Sequence, residues 1–94
     1  MSCTGIIETS EITGGAEGGL GWFKLARAIV TLDSGNHTGS QYAVTMDLVS
    51  EQNGRESRIA VELTPDSARK LVGILEKVLG RGINDGLLNR QLDT

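Results

Sequence analysis

The side chains best placed to do chemistry in this 94-residue chain are one histidine and a few charges. His37 lies in a polar segment, Ser34 to Ser40, with Asp33 immediately before it. Arg27, Asp47 and Glu62 interrupt the apolar stretches on either side. An imidazole titrates near neutral pH, so His37 beside a carboxylate suits a general base. Asp47 or Glu62 can also move a proton, and the forked guanidinium of Arg27 can orient an anionic group. His37, Asp47 and Glu62 are therefore the candidate catalytic residues, and Arg27, Trp22 and Asp33 the candidate binding residues. The alternative is a solvated or dimer-buried face, with Arg27 paired to Glu62 or Asp47 and His37 as polar surface.

Other motifs carry less. Five glycines lie between Gly14 and Gly21, but neither G-x-x-x-x-G-K-[ST] nor G-x-G-x-x-G occurs, and a strand rather than a helix follows. Phosphate loops need that helix N-terminus. The segment 13–21 is therefore expected to be a hairpin loop, with a flap over the sheet as the functional alternative. Cys3 and His37 match no zinc spacing, so no metal and no cofactor are expected. No basic residue neighbours Cys3 to lower its pKa. Trp22 with Phe23 reads first as a packing anchor.

The elements that must position these residues centre on 41–79. Asn53-Gly54 is the residue pair favoured in a type I′ turn, whose two central residues both take positive φ. Placing the turn there sets Gln52 opposite Arg55 and pairs Leu48 with Ile59, Met46 with Val61 and Val44 with Leu63, apolar to apolar on one face. The other face pairs Val49 with Arg58, Asp47 with Ala60 and Thr45 with Glu62. A helix follows at once. Thr64 suits the N-cap, Pro65 the first helical position and Asp66 the positive end of the dipole. Ala68, Leu71, Val72, Leu75, Val78 and Leu79 form one stripe, opposite Asp66, Arg69, Lys70, Glu76 and Lys77. Gly80 and Gly82 are expected to end it.

Residues 22–33 are apolar on both alternations, which predicts a central strand covered on both sides. Residues 3–12 predict a first strand of unclear inward face, weakened by Gly5. The expected fold is α+β: a four-stranded antiparallel sheet in β-β-β-β-α order with one helix across one face. Residues 1–80 form the domain and 81–94 a tail, where Asp85 could cap a short helix bringing Leu88 and Leu92 together. If the even side of the second strand faces the helix, Arg27 and Asp33 join Thr45, Asp47 and Glu62 on the open face, over a floor of Phe23, Leu25 and Ile29. An apolar floor with a few charges suits a small molecule.

Bulk properties bound the rest. With one Trp, one Tyr and one Phe the core must be aliphatic and thin, which favours a homodimer. Twelve acidic against nine basic residues, net −3, disfavours nucleic acid as partner. One cysteine, no run of membrane-spanning length and no signal-peptide pattern predict a reducing cytoplasmic setting without membrane contact. Asn36-His37-Thr38 matches the glycosylation pattern, which needs a secretory route to matter.

Two resemblances add to this. Cys3-Thr4, Gly21-Trp22-Phe23, the Asp33 to His37 loop, and Ala60-Val61-Glu62-Leu63 followed by Ser67-Ala68-Arg69 resemble a family of short uncharacterised bacterial proteins. Members as pictured carry further histidines, which would fall here at Ser34 and near Tyr42 or Ala43, so a multi-histidine metal site is not carried over. The β-β-β-β-α order, with Arg58 to Pro65 leading into the helix, is similar to Pur-domain, Whirly and transcriptional-coactivator binders of single-stranded nucleic acid. That resemblance implies dimers with a basic, aromatic sheet face, whereas this chain is acidic and offers Arg27 and Arg58. The leading expectation is a homodimeric small-molecule-binding domain, with isomerase- or cyclase-type acid–base chemistry in a biosynthetic pathway. The alternatives are a single-stranded nucleic-acid-binding module and a non-catalytic interaction or regulatory protein.

Overall fold

The structure, a computed structural model, describes residues 5–19, 21–35, 39, 41–50 and 57–88. Four strands precede one helix: β1 (Ile6–Gly18), β2 (Gly21–Ser34), β3 (Tyr42–Ser50), β4 (Ser57–Leu63) and α1 (Pro65–Asn84). They form one antiparallel sheet in the order β1-β2-β3-β4. The α+β class and the strand order are those that the sequence predicts.

The β3–β4 register is also the predicted one. Val44 faces Leu63, Met46 faces Val61 and Leu48 faces Ile59, while Thr45 faces Glu62, Asp47 faces Ala60 and Val49 faces Arg58. The Gln52–Arg55 pair and the Asn53-Gly54 turn lie outside the described residues. Cross-strand partners share a face, so β2 sorts the whole sheet. Its even side (Ala28, Val30, Leu32) joins Val44, Met46 and Leu48 of β3; its odd side (Arg27, Ile29, Thr31, Asp33) joins Val49, Asp47, Thr45 and Ala43.

The glycine-rich segment is a correction. It is not a loop: Gly14 to Gly18 continue β1 and pair with Leu25 back to Gly21, beyond an irregularity between Glu11 and Gly14. The physical reason is pairing: β2 offers a partner backbone as far as Gly21, and the ladder holds residues whose own strand preference is low. The Trp22 and Phe23 rings lie against this glycine backbone, where an added Cβ would make ordinary contact with Trp22 Cε3 at 3.5 Å from Gly15 and with Phe23 Cε1 at 3.4 Å from Gly18.

This β1–β2 arm extends past the end of β3, because β2 pairs with β3 only from Arg27 to Ser34. The sheet curls strongly, and β1 touches β4 although two strands separate them. Ala16, Ala43 and Val49, the buried apolar residues described, all lie on the odd face. The odd face thus holds the buried apolar positions and forms the inside of the curl, while Ser50, at the end of β3, is buried on the even face.

The helix is capped as expected. Thr64 Oγ1 accepts a hydrogen bond from Ser67 N at 3.1 Å, Pro65 opens the first turn and Asp66 sits near the positive end. Its end is a second correction. The helix runs through Gly80 and Gly82 to Asn84, into the segment expected to be a tail, and Asp85 caps its end instead of starting another helix. Gly86, at φ +77°, supplies the left-handed residue that reverses the chain. Leu87 N and Leu88 N then donate to Gly82 O, and a Cβ on Gly82 would lie 2.9 Å from Leu88 Cδ1. Gly82 is helical because Leu88 folds back over it. Leu92 lies outside the described residues.

The helix touches β3 and β4, and no residue of it is buried. A shallow apolar hollow beside Leu63, Leu71 and Ile74 sets its first turns near the Leu63 end of the even face. Val72, Leu75 and Val78 remain exposed, Val78 at 67%.

Candidate functional site on the inner face of the curled sheet

The odd face is built in cross-strand rows. Glu11, Arg27, Val49 and Arg58 form the first; Thr9, Ile29, Asp47 and Ala60 the second; Ile7, Thr31, Thr45 and Glu62 the third; Asp33 and Ala43 begin the fourth. Directly opposed side chains stand about 5 Å apart at Cβ, and diagonal ones about 7–8 Å, within reach of a long side chain. Arg27 therefore has Glu11 directly opposite and Asp47 as a diagonal neighbour. Asp47 and Glu62 are diagonal neighbours of each other.

Four sequence-selected residues thus share one face: Arg27, Asp33, Asp47 and Glu62. Arg27, Asp47 and Glu62 are half-buried, whereas Glu11, Thr9, Arg58 and Ala60 on the same face are exposed. Arg27 and Glu62 each engage a partner. Asp33 has a structural engagement, since its Oδ1 accepts a hydrogen bond from Ser34 N at 2.8 Å. Its other oxygen packs where a Cβ on Gly5 would come within 3.1 Å.

Two candidates are not brought into this set. Trp22 is on the even side of the arm, opposite Glu17, and 73% exposed. It does border an open hollow of ≈ 280 Å³ at the arm's tip, where Gly18, Gly21 and Phe23 approach Ser57 and Arg58. His37 lies outside the described residues. Among the described residues on either side of it, Gly35 N donates to Gln41 O at 3.3 Å, next to the Asp33–Ala43 row.

Glu11 is the residue that sequence reasoning missed. The irregularity between Glu11 and Gly14 breaks the alternation of β1, so no period in the sequence reveals which face Glu11 takes. Its partner Arg27 was visible, but the row joining them was not.

Among the described residues no cluster of three His, Cys, Asp or Glu side chains is placed to hold a metal ion. Among the described residues no helix is long and apolar enough to cross a membrane. Beyond this geometry, the model of a family of unknown function matches residues 1–89. The chain belongs to that family, DUF6295. Membership spans the whole sheet and the helix, so the charged rows and the exposed stripe both lie within the family's domain. No curated protein and no solved structure matches the chain.

Proposed function

We propose that the chain is a homodimeric domain that binds a small polar molecule against the inner face of its curled sheet. The observation that carries this reading is the placing of Arg27, Asp47 and Glu62, distant in sequence and each half-buried, on three successive rows of one face. A ligand bearing both an anionic and a cationic or hydroxyl group, such as an amino acid or hydroxy acid, matches that alternation. Arg27 would take the anionic end. Asp47 and Glu62 would take the donor end, and as carboxylates they equip the face for proton transfer of the isomerase or cyclase type. His37 would serve as the base if its loop reaches the same end of the sheet. The setting proposed is the bacterial cytoplasm, in keeping with the single cysteine.

Thermal denaturation against a library of small amino, hydroxy and keto acids, followed by Trp22 fluorescence, tests this reading. A ligand at about 100 times its Kd adds about 2.7 kcal/mol, a Tm rise of more than 10 °C for a chain this size. The rise should vanish in Arg27→Ala and Asp47→Asn. If no compound moves Tm, or the variants respond like the parent, the binding reading fails.

The second reading, a single-stranded nucleic-acid binder of the Pur or Whirly type, draws on Arg27 and Arg58 in one row with Phe23 near Arg58. It predicts retention on oligo-dT that falls with salt. Absence of retention at low salt removes it.

A further inference from the structure

The described residues form two apolar surfaces of different kinds. One is the even face of the sheet. Ala28, Val30, Leu32, Val44, Met46 and Leu48 lie side by side across β2 and β3, and β4 adds Ile59 and Val61; Val30 and Val61 are exposed and the others half-buried. No charge interrupts the β2–β3–β4 part of this face between Ala28 and Leu63, and β1 adds one, Glu8, opposite Val30 at the edge, whereas the odd face of β2–β3–β4 holds two arginines and three carboxylates. The other surface is the helix stripe of Leu71, Leu75 and Val78, flanked by Val72, Ile74 and Leu79. Of these only Leu71 is even half-buried.

The helix residues Val72, Ile74, Leu75, Val78 and Leu79 are 43–67% exposed, and Val30 and Val61 on the sheet 37–38%. The chain as a whole exposes 7482 Å², against about 5200 Å² for a compact monomer of this mass. Its radius of gyration is 15.5 Å, against about 12.4 Å for a compact domain of this length. The excess, roughly 2300 Å², belongs to the whole chain, and these two surfaces are part of it. Burying even half of it on each of two copies removes about 2300 Å² in total, within the range of obligate homodimers.

We infer that a second copy of this chain covers both surfaces by reciprocal exchange, the helix stripe of each copy lying across the even sheet face of the other. A helix of 20 residues is about 30 Å long, enough to cross a four-stranded sheet whose strands are about 4.8 Å apart. A heterologous partner would have to supply both an apolar helix and an apolar sheet to satisfy this chain. A second copy supplies both by symmetry. The proposal specifies the dimer invoked above and rests on that part of the reading. It is independent of whether the inner face binds a ligand.

Native mass spectrometry of the full chain at ~10 µM, with cysteine pairing, tests it. In a Cys3→Ser background, Leu75→Cys chains are mixed under mild oxidation with Val30→Cys, Met46→Cys or Val61→Cys chains. The expected result is a dimer of twice 10.0 kDa and a covalent heterodimer for at least one mixture. Val78→Asp should weaken the dimer at least ~100-fold, as expected when a charge enters a central apolar contact. A monomer at this concentration overturns the proposal together with the homodimer. A dimer in which Leu75→Cys crosslinks only to itself, or in which no mixture crosslinks, overturns the exchange alone. Ligand-induced shifts in Tm, read separately, remain the test of the inner face.

Discussion

Three glycines within one helix offer a quantitative check, because their surroundings differ. Gly73 and Gly80 lie on the helix face opposite Leu71 and Val78, among the charged residues, and a Cβ added at either meets nothing within 4 Å. Replacing glycine by alanine in a helix interior gains about 0.5–1 kcal/mol, chiefly by reducing backbone entropy in the unfolded chain. With an unfolding entropy of about 2.1 cal/mol/K per residue, the chain loses or gains roughly 5 °C in Tm per kcal/mol. Gly73→Ala and Gly80→Ala should each raise Tm by about 3–5 °C, and the double variant by about 5–10 °C. Gly82 has the same intrinsic preference, but its new Cβ would lie 2.9 Å from Leu88 Cδ1 and 3.1 Å from Leu88 Cγ. With the Leu88 N–H tied to Gly82 O at 3.1 Å, relief must come from the Leu88 side chain leaving its rotamer. The steric cost should cancel the gain, leaving Gly82→Ala at or below the parent. Thermal unfolding by circular dichroism, at one fixed protein concentration, measures all four. If Gly82→Ala stabilises as much as Gly80→Ala, the fold-back of Leu88 is refuted. A fall in Tm for both Gly73→Ala and Gly80→Ala would mean that the polar face of the helix is covered, contrary to the arrangement above.

Two further outcomes follow from the same geometry. Thr64→Ala removes the acceptor of the Ser67 N–H and should cost about 1 kcal/mol, or about 5 °C in Tm, with Thr64→Ser restoring most of it; equal melting of all three would show that the cap is replaced by water at no cost. In the arm, Gly14→Val should be tolerated, since its nearest neighbour is Leu25 Cδ1 at 4.0 Å, whereas in Gly15→Val the Cβ already touches Trp22 Cε3 at 3.5 Å and the γ-methyls should crowd the ring. Gly15→Val should therefore melt several degrees below Gly14→Val and change the Trp22 emission, and identical emission from both would refute the packing of Trp22 on Gly15.

Local chemistry determined a good deal of this protein from the sequence by itself. The β3–β4 register follows from a side-chain period of two and one turn-favouring Asn-Gly pair, and the start of the helix from Thr64, Pro65 and Asp66 acting on their own neighbours. The sharing of one face by Arg27, Asp33, Asp47 and Glu62 was legible for the same reason, given the phase of β2. Tertiary structure decided what depends on contacts distant in sequence. Glycine promises a loop, yet Gly15 and Gly18 stand in a strand because β2 offers them a partner backbone, with the rings of Trp22 and Phe23 beside it. Gly82 promises a helix end, yet the helix continues because Leu88 returns to cover it. The place of Glu11 opposite Arg27 depends on an irregularity that no periodicity encodes. The amphipathic stripe of the helix was plain from its spacing. That the chain's own sheet leaves that stripe exposed is a property of the curl and of the helix's exit from β4, and so of the assembled fold alone.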